Sequence, residues 1–133
     1  MLDSDRCPCL SGDTYGDCCG RYHHGLGGGV TAPTAEALMR SRYSAFAVGD
    51  RGYLLATWAP ATRPTSLDLD DDTEWRGLEI LRTEAGGPFD SAGVVEFVAR
   101  YRDPGTRRGA LHETSRFIRD QGRWFYVGGD VEA

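Results

Sequence analysis

The spacing of apolar residues changes near the middle of the chain. Leu38, Met39, Tyr43 and Phe46 recur near helical spacing, after Thr34 as an N-cap with Glu36 in the first turn, and Gly49 stops the run. The pattern predicts a helix over 35–48. A second, shorter helix starts at Asp50 and carries Tyr53, Leu54, Leu55 and Trp58 to Pro60. Residues 60–73, PATRPTSLDLDDDT, are proline-bearing and acidic and read as an exposed loop. Beyond them the period shortens to two. Leu78 and Ile80, then Val95, Phe97, Ala99 and Tyr101, then Phe117, then Phe125 and Val127 predict four strands. Gly86-Gly87-Pro88, Asp103-Pro104-Gly105 and Asp120-Gln121-Gly122 mark the turns between them. Helices first and an antiparallel sheet after make an α+β domain.

A simple hairpin across the turn at 103–109 would set Arg100 opposite His112 and Glu96 opposite Arg116 on one face. On the other face it would set Phe97 opposite Ser115 and Ala99 opposite Glu113. A one-residue slip would exchange the faces. Glu96 and Arg116 then read as a cross-strand ion pair, worth about a few tenths of a kcal/mol. Glu113 would share its face with Phe97, Phe117, Phe125 and Val127, where a carboxylate needs a partner or a raised pKa. It reads either as a structural hydrogen-bonding group or as an acid or base lining a pocket.

At 133 residues the chain suits one compact domain with a small appendage. With 40% hydrophobic residues it can bury a real core, and 26% charged residues argue for a soluble surface. The net charge of -5 sets aside a general nucleic-acid footprint. All 15 basic residues are arginine, which reads as the codon bias of a GC-rich genome before any demand for guanidinium forks. No run approaches the roughly 20 apolar residues of a membrane helix, and the N-terminal MLDSDRCPC has no apolar signal segment. No membrane association and a cytoplasmic location are therefore expected.

The chemistry concentrates at the N-terminus. Every cysteine lies between positions 7 and 19, as Cys7-Pro8-Cys9 and Cys18-Cys19. Clustered thiolates in a reducing compartment favour a metal, and four of them complete a closed zinc tetrahedron with no position left for water. Residues 7–19 are thus expected to hold one structural Zn2+ through Cys7, Cys9, Cys18 and Cys19. Pro8 stiffens the first pair, and Ser11-Gly12-Asp13 supplies turn chemistry. The metal would contribute on the order of 10 kcal/mol to folding so small a segment. The alternatives are two disulfides of a secreted mini-domain or free thiols, although adjacent Cys18 and Cys19 would form a strained disulfide with each other. His23 and His24 could substitute as ligands, but four cysteines already saturate the ion, which leaves the histidines to surface or linker roles.

CPCLSGDTYGDCCG resembles the SEC-C motif, the zinc knuckle at the end of the SecA translocation motor and on many other proteins. Leu10 takes the place of the usual glycine there, and Asp13 and Asp17 lie where lysines are common. LMRSRYSAFAVGDRGYLLATW, WRGLEIL, GVVEFVARYR and LHETSRFIRDQGRWFYV in that order resemble the YchJ family (UPF0225), small bacterial proteins with a SEC-C knuckle and an NTF2-like domain. The match runs from Cys7 to about Gly129. Where that family often has a histidine before the proline after TW, this chain has Ala59, so a catalytic histidine at that point is missing. Residues 20–33, GRYHHGLGGGVTAP, are glycine-rich and end in proline, which reads as a flexible or irregular connector. With the resemblance, the chain divides into a zinc knuckle at 1–22, a glycine-rich connector at 23–33 and an NTF2-like domain at 34–133. The resemblance also implies a curved antiparallel sheet wrapped on helices to leave a cone-shaped cavity. Such folds host isomerases, dehydratases and non-catalytic binding modules alike.

Two functions follow. One is a non-catalytic adaptor, with the knuckle as a contact surface for a protein partner and the body as a homodimer or ligand platform. The other is a small-molecule enzyme of isomerase, dehydratase or hydrolase type, with Glu113 or His112 as acid or base and Arg40, Arg42, Tyr43 or Arg100 orienting an anion. Arg40 and Arg42 lie two apart and cannot share a helix face, so at most one points inward. RNA contact through the knuckle is a third option, which its aspartates disfavour.

Overall fold

The computed structural model describes residues 1–69, 72–105 and 107–132. Helix α1 (Cys19–Gly25) leads through a 3-10 turn at Leu26–Gly28 to α2 (Ala35–Val48) and α3 (Arg51–Ala56). Strands β1 (Glu74–Ala85), β2 (Ala92–Asp103), β3 (Arg107–Asp120) and β4 (Arg123–Val131) follow as one antiparallel sheet in sequential order. Helix α2 packs across β1, β2 and β4. No helix is long and apolar enough to cross a membrane.

The caps act as the sequence dictates. Thr34 Oγ1 accepts from the Ala37 N–H at 3.0 Å, Asp50 Oδ1 accepts from the Tyr53 N–H at 3.0 Å, and Gly49 closes α2 in the left-handed region at φ 80°. Helix α3 stops short of Trp58 because the next residues pair with the sheet. The Tyr126 N–H donates to Thr57 O and the Ala59 N–H to Tyr126 O, both at 2.8 Å. Residues 20–33 are not irregular throughout, since α1 occupies their first part and buries His23.

Three expectations about the sheet change. The β2–β3 pairing continues to Asp103 opposite Arg107, closer to the turn than a simple hairpin across 103–109 assumed. Register therefore slips by two residues. Arg100 faces Ala110, Ala99 faces Leu111 and Phe97 faces Glu113, and because two is the pleat period Glu113 keeps its face. Glu96 does not pair with Arg116; it accepts from Arg82 Nε at 3.1 Å and meets His112 Nε2 at 2.6 Å, while Arg116 Nη1 reaches Asp130 at 3.2 Å. On β4 the inward residues are Trp124 and Tyr126 rather than Phe125 and Val127. A bulge between Arg116 and Phe117 sets Tyr126 opposite Phe117 and Phe125 opposite half-exposed Ile118.

The cysteine segment belongs to the core. Cys7, Cys9 and Cys19 are at most 1% exposed and sit in one cluster with Leu38, Val95, Phe97, Phe117 and Trp124. Arg40 Nη1 donates to Cys9 O at 3.3 Å, and Cys7 Sγ lies 3.6 Å from Ser44 Oγ. Buried His23 fastens α1 to α2: its Nε2–H donates to Ser41 O at 2.7 Å, so Nδ1 accepts from the Tyr15 hydroxyl. Both ring nitrogens are satisfied in the neutral form, and the buried site disfavours the charged one. Burial accordingly pulls the His23 pKa below its ordinary value.

A histidine with a depressed folded pKa stabilises least where the unfolded chain is already protonated. Stability should therefore hold above about pH 6.5 and fall as the pH drops through that value. Urea melts from pH 7.5 to 5.5 should show a shallower decline for His23→Gln than for the native chain, since any effect of acid on the cysteines is common to both. A second expectation concerns Leu10, whose φ of 61° is left-handed and whose side chain is 53% exposed. Leu10→Gly should relieve about 1–2 kcal/mol of backbone strain against about 0.5–1 kcal/mol of added unfolded-state entropy. A net gain of about 0.5 kcal/mol or more in denaturant unfolding is expected; a loss would show that the side chain contributes more than its exposure suggests.

Candidate functional site

Two groupings carry chemistry, the cysteine cluster and a cavity between α2 and the sheet. The four Sγ atoms of Cys7, Cys9, Cys18 and Cys19 lie within 4.8 Å of one another, with Cys9 to Cys18 at 3.6 Å and Cys18 to Cys19 at 3.9 Å. Tetrahedral metal–sulfur bonds of about 2.3 Å would set sulfurs roughly 3.8 Å apart. The cluster therefore fits a metal ion. Burial pushes the Cys18 thiol up to about 11; hydrogen bonding with Cys7 and then Cys9, and burial after them, raises Cys19, while hydrogen bonds from Cys19 and then Cys9 draw Cys7 down. Ser11 Oγ lies 3.2 Å from Cys18 Sγ and adds a polar neighbour at the exposed side of the cluster.

The cavity has a volume of about 260 Å³, and aromatic side chains make up half of its lining residues. Helical spacing delivers one wall, because Met39, Arg42, Tyr43 and Phe46 occupy i, i+3, i+4 and i+7 positions. Strand alternation delivers another, with Phe97 and Ala99 on β2 facing Glu113 and Leu111 on β3. The bridge between residues 57–59 and β4 supplies Trp58 edge-on to Tyr126, ring centroids 5.0 Å apart.

Two ionisable groups face this apolar space. Arg42 is 3% exposed; its Nη1 donates to Leu54 O and Thr57 Oγ1, both at 2.7 Å, and its guanidinium lies 4.5 Å from the Tyr126 ring and 5.2 Å from the Trp58 ring. Burial lowers its pKa to about 10, which leaves it charged at neutral pH. Glu113 Oε2 accepts from the Ser115 hydroxyl and from Tyr126 Oη at 3.4 Å. Gly129 leaves the room it needs, since a Cβ there would stand 2.4 Å from Glu113 Oε2. Burial first, and the Glu113 charge second, push the Tyr126 hydroxyl up to about 12, so it stays protonated and donates. Trp58 Nε1 and Tyr43 Oη are buried without a normal hydrogen bond among the described residues, the latter facing the Gly77 backbone.

The residues singled out from the sequence thus separate. Arg42, Tyr43 and Glu113 meet at the cavity. Arg40 turns towards the knuckle, bonded to Glu36 Oε2 at 3.0 Å and to Cys9 O. His112 lies on the outer face against Glu96. Arg100 is exposed, 3.0 Å from Glu79, beside a wide surface hollow shared with Arg76, Arg102 and Arg108. Sequence reasoning missed Trp58, Ser115 and Tyr126 as site residues. Ser115 was legible as a neighbour of Glu113 on one strand face, whereas for Tyr126 the signal was the WFYV run, in which both faces are apolar.

Residues 34–129 match the family described as YchJ, middle NTF2-like domain, and residues 4–21 match the SEC-C motif. A UPF0225 protein of Corynebacterium efficiens is 57% identical over 126 residues, 95% of this chain and 93% of that protein. One of Chromobacterium violaceum is 56% identical, covering 94% of this chain and 92% of its own length. The solution structure of a SEC-C motif containing protein from Rhodopseudomonas palustris superposes with a TM-score of 0.80 at 37% identity, over 96% of this chain and 98% of that one. A crystal structure of a SEC-C motif containing protein from Psychrobacter arcticus gives 0.79 at 31% identity, over 100% of this chain and 86% of that one. A SEC-C segment, an NTF2-like body and identity above half along nearly the whole length agree, and the chain belongs to the YchJ family (UPF0225).

Proposed function

We propose that the cysteine cluster holds a structural Zn2+ and that the protein works as a small-molecule binding module through the cavity on α2. The cavity carries this reading: a space of about 260 Å³ with aromatic walls has a buried guanidinium and a hydrogen-bonded carboxylate on its lining. A void serving only packing would be filled by apolar side chains, because burying charge without use costs stability. The cysteines face the core, so the metal is assigned to holding the fold rather than to meeting a partner. Closed four-thiolate coordination leaves no position for substrate.

The Glu113, Ser115 and Tyr126 grouping favours a second reading, an enzyme in which Glu113 moves a proton to or from a ligand held in the same space. The two readings differ at one residue. Glu113→Gln leaves a binder competent and stops proton transfer.

The metal assignment predicts about one zinc per chain in protein purified under reducing conditions without chelator. Cys9→Ser should lose the metal and several kcal/mol of stability, with melting affected throughout the domain because the cluster shares its core. Full stability in metal-free protein would refute this. For the cavity, Ala99 is 2% exposed on its wall, and Ala99→Leu should occupy part of the space. Small aromatic fragments that quench Trp58 and Trp75 fluorescence in the native chain should bind the variant at least tenfold more weakly. Equal binding to both would place the ligand elsewhere.

A further inference from the structure

Arg42 is buried on the cavity wall, yet none of the described residues forms an ion pair with it. Among the described residues no carboxylate lies within ion-pair distance of it, and its hydrogen bonds all leave from Nη1, to Leu54 O and Thr57 Oγ1. That nitrogen clamps the end of α3 to α2, which is a sufficient structural role for one edge of the group. The other edge, Nε and Nη2, makes no hydrogen bond among the described residues. Side by side, these two N–H donors match the two oxygens of a carboxylate. The ring faces of Trp58 and Tyr126 offset part of the cost of burying the charge but accept no hydrogen bond in the guanidinium plane. On the same wall the Trp58 indole N–H is also without a hydrogen-bond partner among the described residues.

We propose that the cavity selects small monocarboxylates with an apolar or aromatic body, the carboxylate seated on the Nε and Nη2 edge of Arg42. This rests on the cavity reading above and names its ligand class. Volume sets the size, since about 260 Å³ corresponds to roughly nine waters at about 30 Å³ each. Charge sets the class. Arg42 is the one cation on the lining and Glu113 a carboxylate in the same space, so the two cancel; a monocarboxylate on Arg42 leaves one negative charge and a dianionic phosphate two, which favours the singly charged acid. Tyr126 links the two polar points, its ring under Arg42 and its hydroxyl on Glu113 Oε2. A ligand hydroxyl or amine therefore finds its acceptor at Glu113 once the carboxylate is in place.

The test uses the full-length, metal-replete protein and paired probes: isobutyrate, benzoate, phenylacetate and 3-phenyllactate, each against its own carboxamide, read by tryptophan fluorescence. At least one acid should bind tenfold or more tighter than its amide, and Arg42→Gln, which keeps a donor towards Leu54 O, should abolish that ratio. Should Arg42→Gln fail to fold, the acid-to-amide ratio in the native chain decides by itself. Amides binding as tightly as acids, or an acid preference that survives in Arg42→Gln, would overturn the carboxylate assignment and leave the cavity reading intact. If neither acids nor amides bind, and neutral fragments give no signal that Ala99→Leu weakens, both readings fall.

Discussion

Helix α2 is fastened from two directions, and the cavity exists only because both hold. On one side the cysteine cluster grips it, through Cys7 against Ser44 and the Cys9 carbonyl against Arg40. On the other, Leu38 joins Val95, Phe97 and Phe117 in the sheet-side core. The first nineteen residues have no apolar core of their own, so under the proposed metal assignment it is the free energy of metal binding that would let them act as a wall. His23 extends that wall, with Tyr15 and Ser41 locking its ring in the neutral tautomer and the Tyr53 ring 4.6 Å away. The cysteine cluster at one end of the molecule thereby braces a helix whose other face lines the cavity.

The inner surface departs from what stability alone would select. A leucine at position 42 and another at 113 would close the space and remove two buried ionisable groups. Instead Arg42 is satisfied on one edge only, and Glu113 is supported by two hydroxyls and by the missing side chain of Gly129. Those supports keep the carboxylate in one place while its surroundings stay apolar. Local sacrifice of packing at a place where polar groups converge is the ordinary signature of a binding site.

Much of the architecture was legible because local signals agreed with one another. Thr34, the helical spacing from Leu38 to Phe46 and Gly49 all pointed to the same helix, and it spans Ala35–Val48. The four strands were marked by period-two runs and by turns that glycines close. What could not be read were choices between equivalent patterns. WFYV is apolar on both parities, so the inward face of β4 was set by a bulge that leaves no mark in the sequence. The β2–β3 register depended on how near the turn pairing begins, and a slip of two residues moved each partner without moving any face. Trp58 was placed on a helix because its spacing fits one; a backbone bridge to Tyr126, invisible to spacing, carries it to the cavity instead. The inward turn of Arg42 rather than Arg40 was also beyond the sequence, which required only that the two differ. The cysteines were the easiest to read, since four thiols so close in the chain leave little freedom in where they converge.

The contact between Gly129 and the Glu113 carboxyl constrains how this chain can drift. Any L side chain at 129 would have to displace a carboxyl held by Ser115 and Tyr126. Shortening Glu113 removes that obstacle, after which position 129 opens to ordinary strand residues. The two positions are therefore coupled: a side chain at 129 costs the acid its present seat by turning Glu113 to another rotamer, whereas behind a shorter residue at 113 the same change meets no carboxyl.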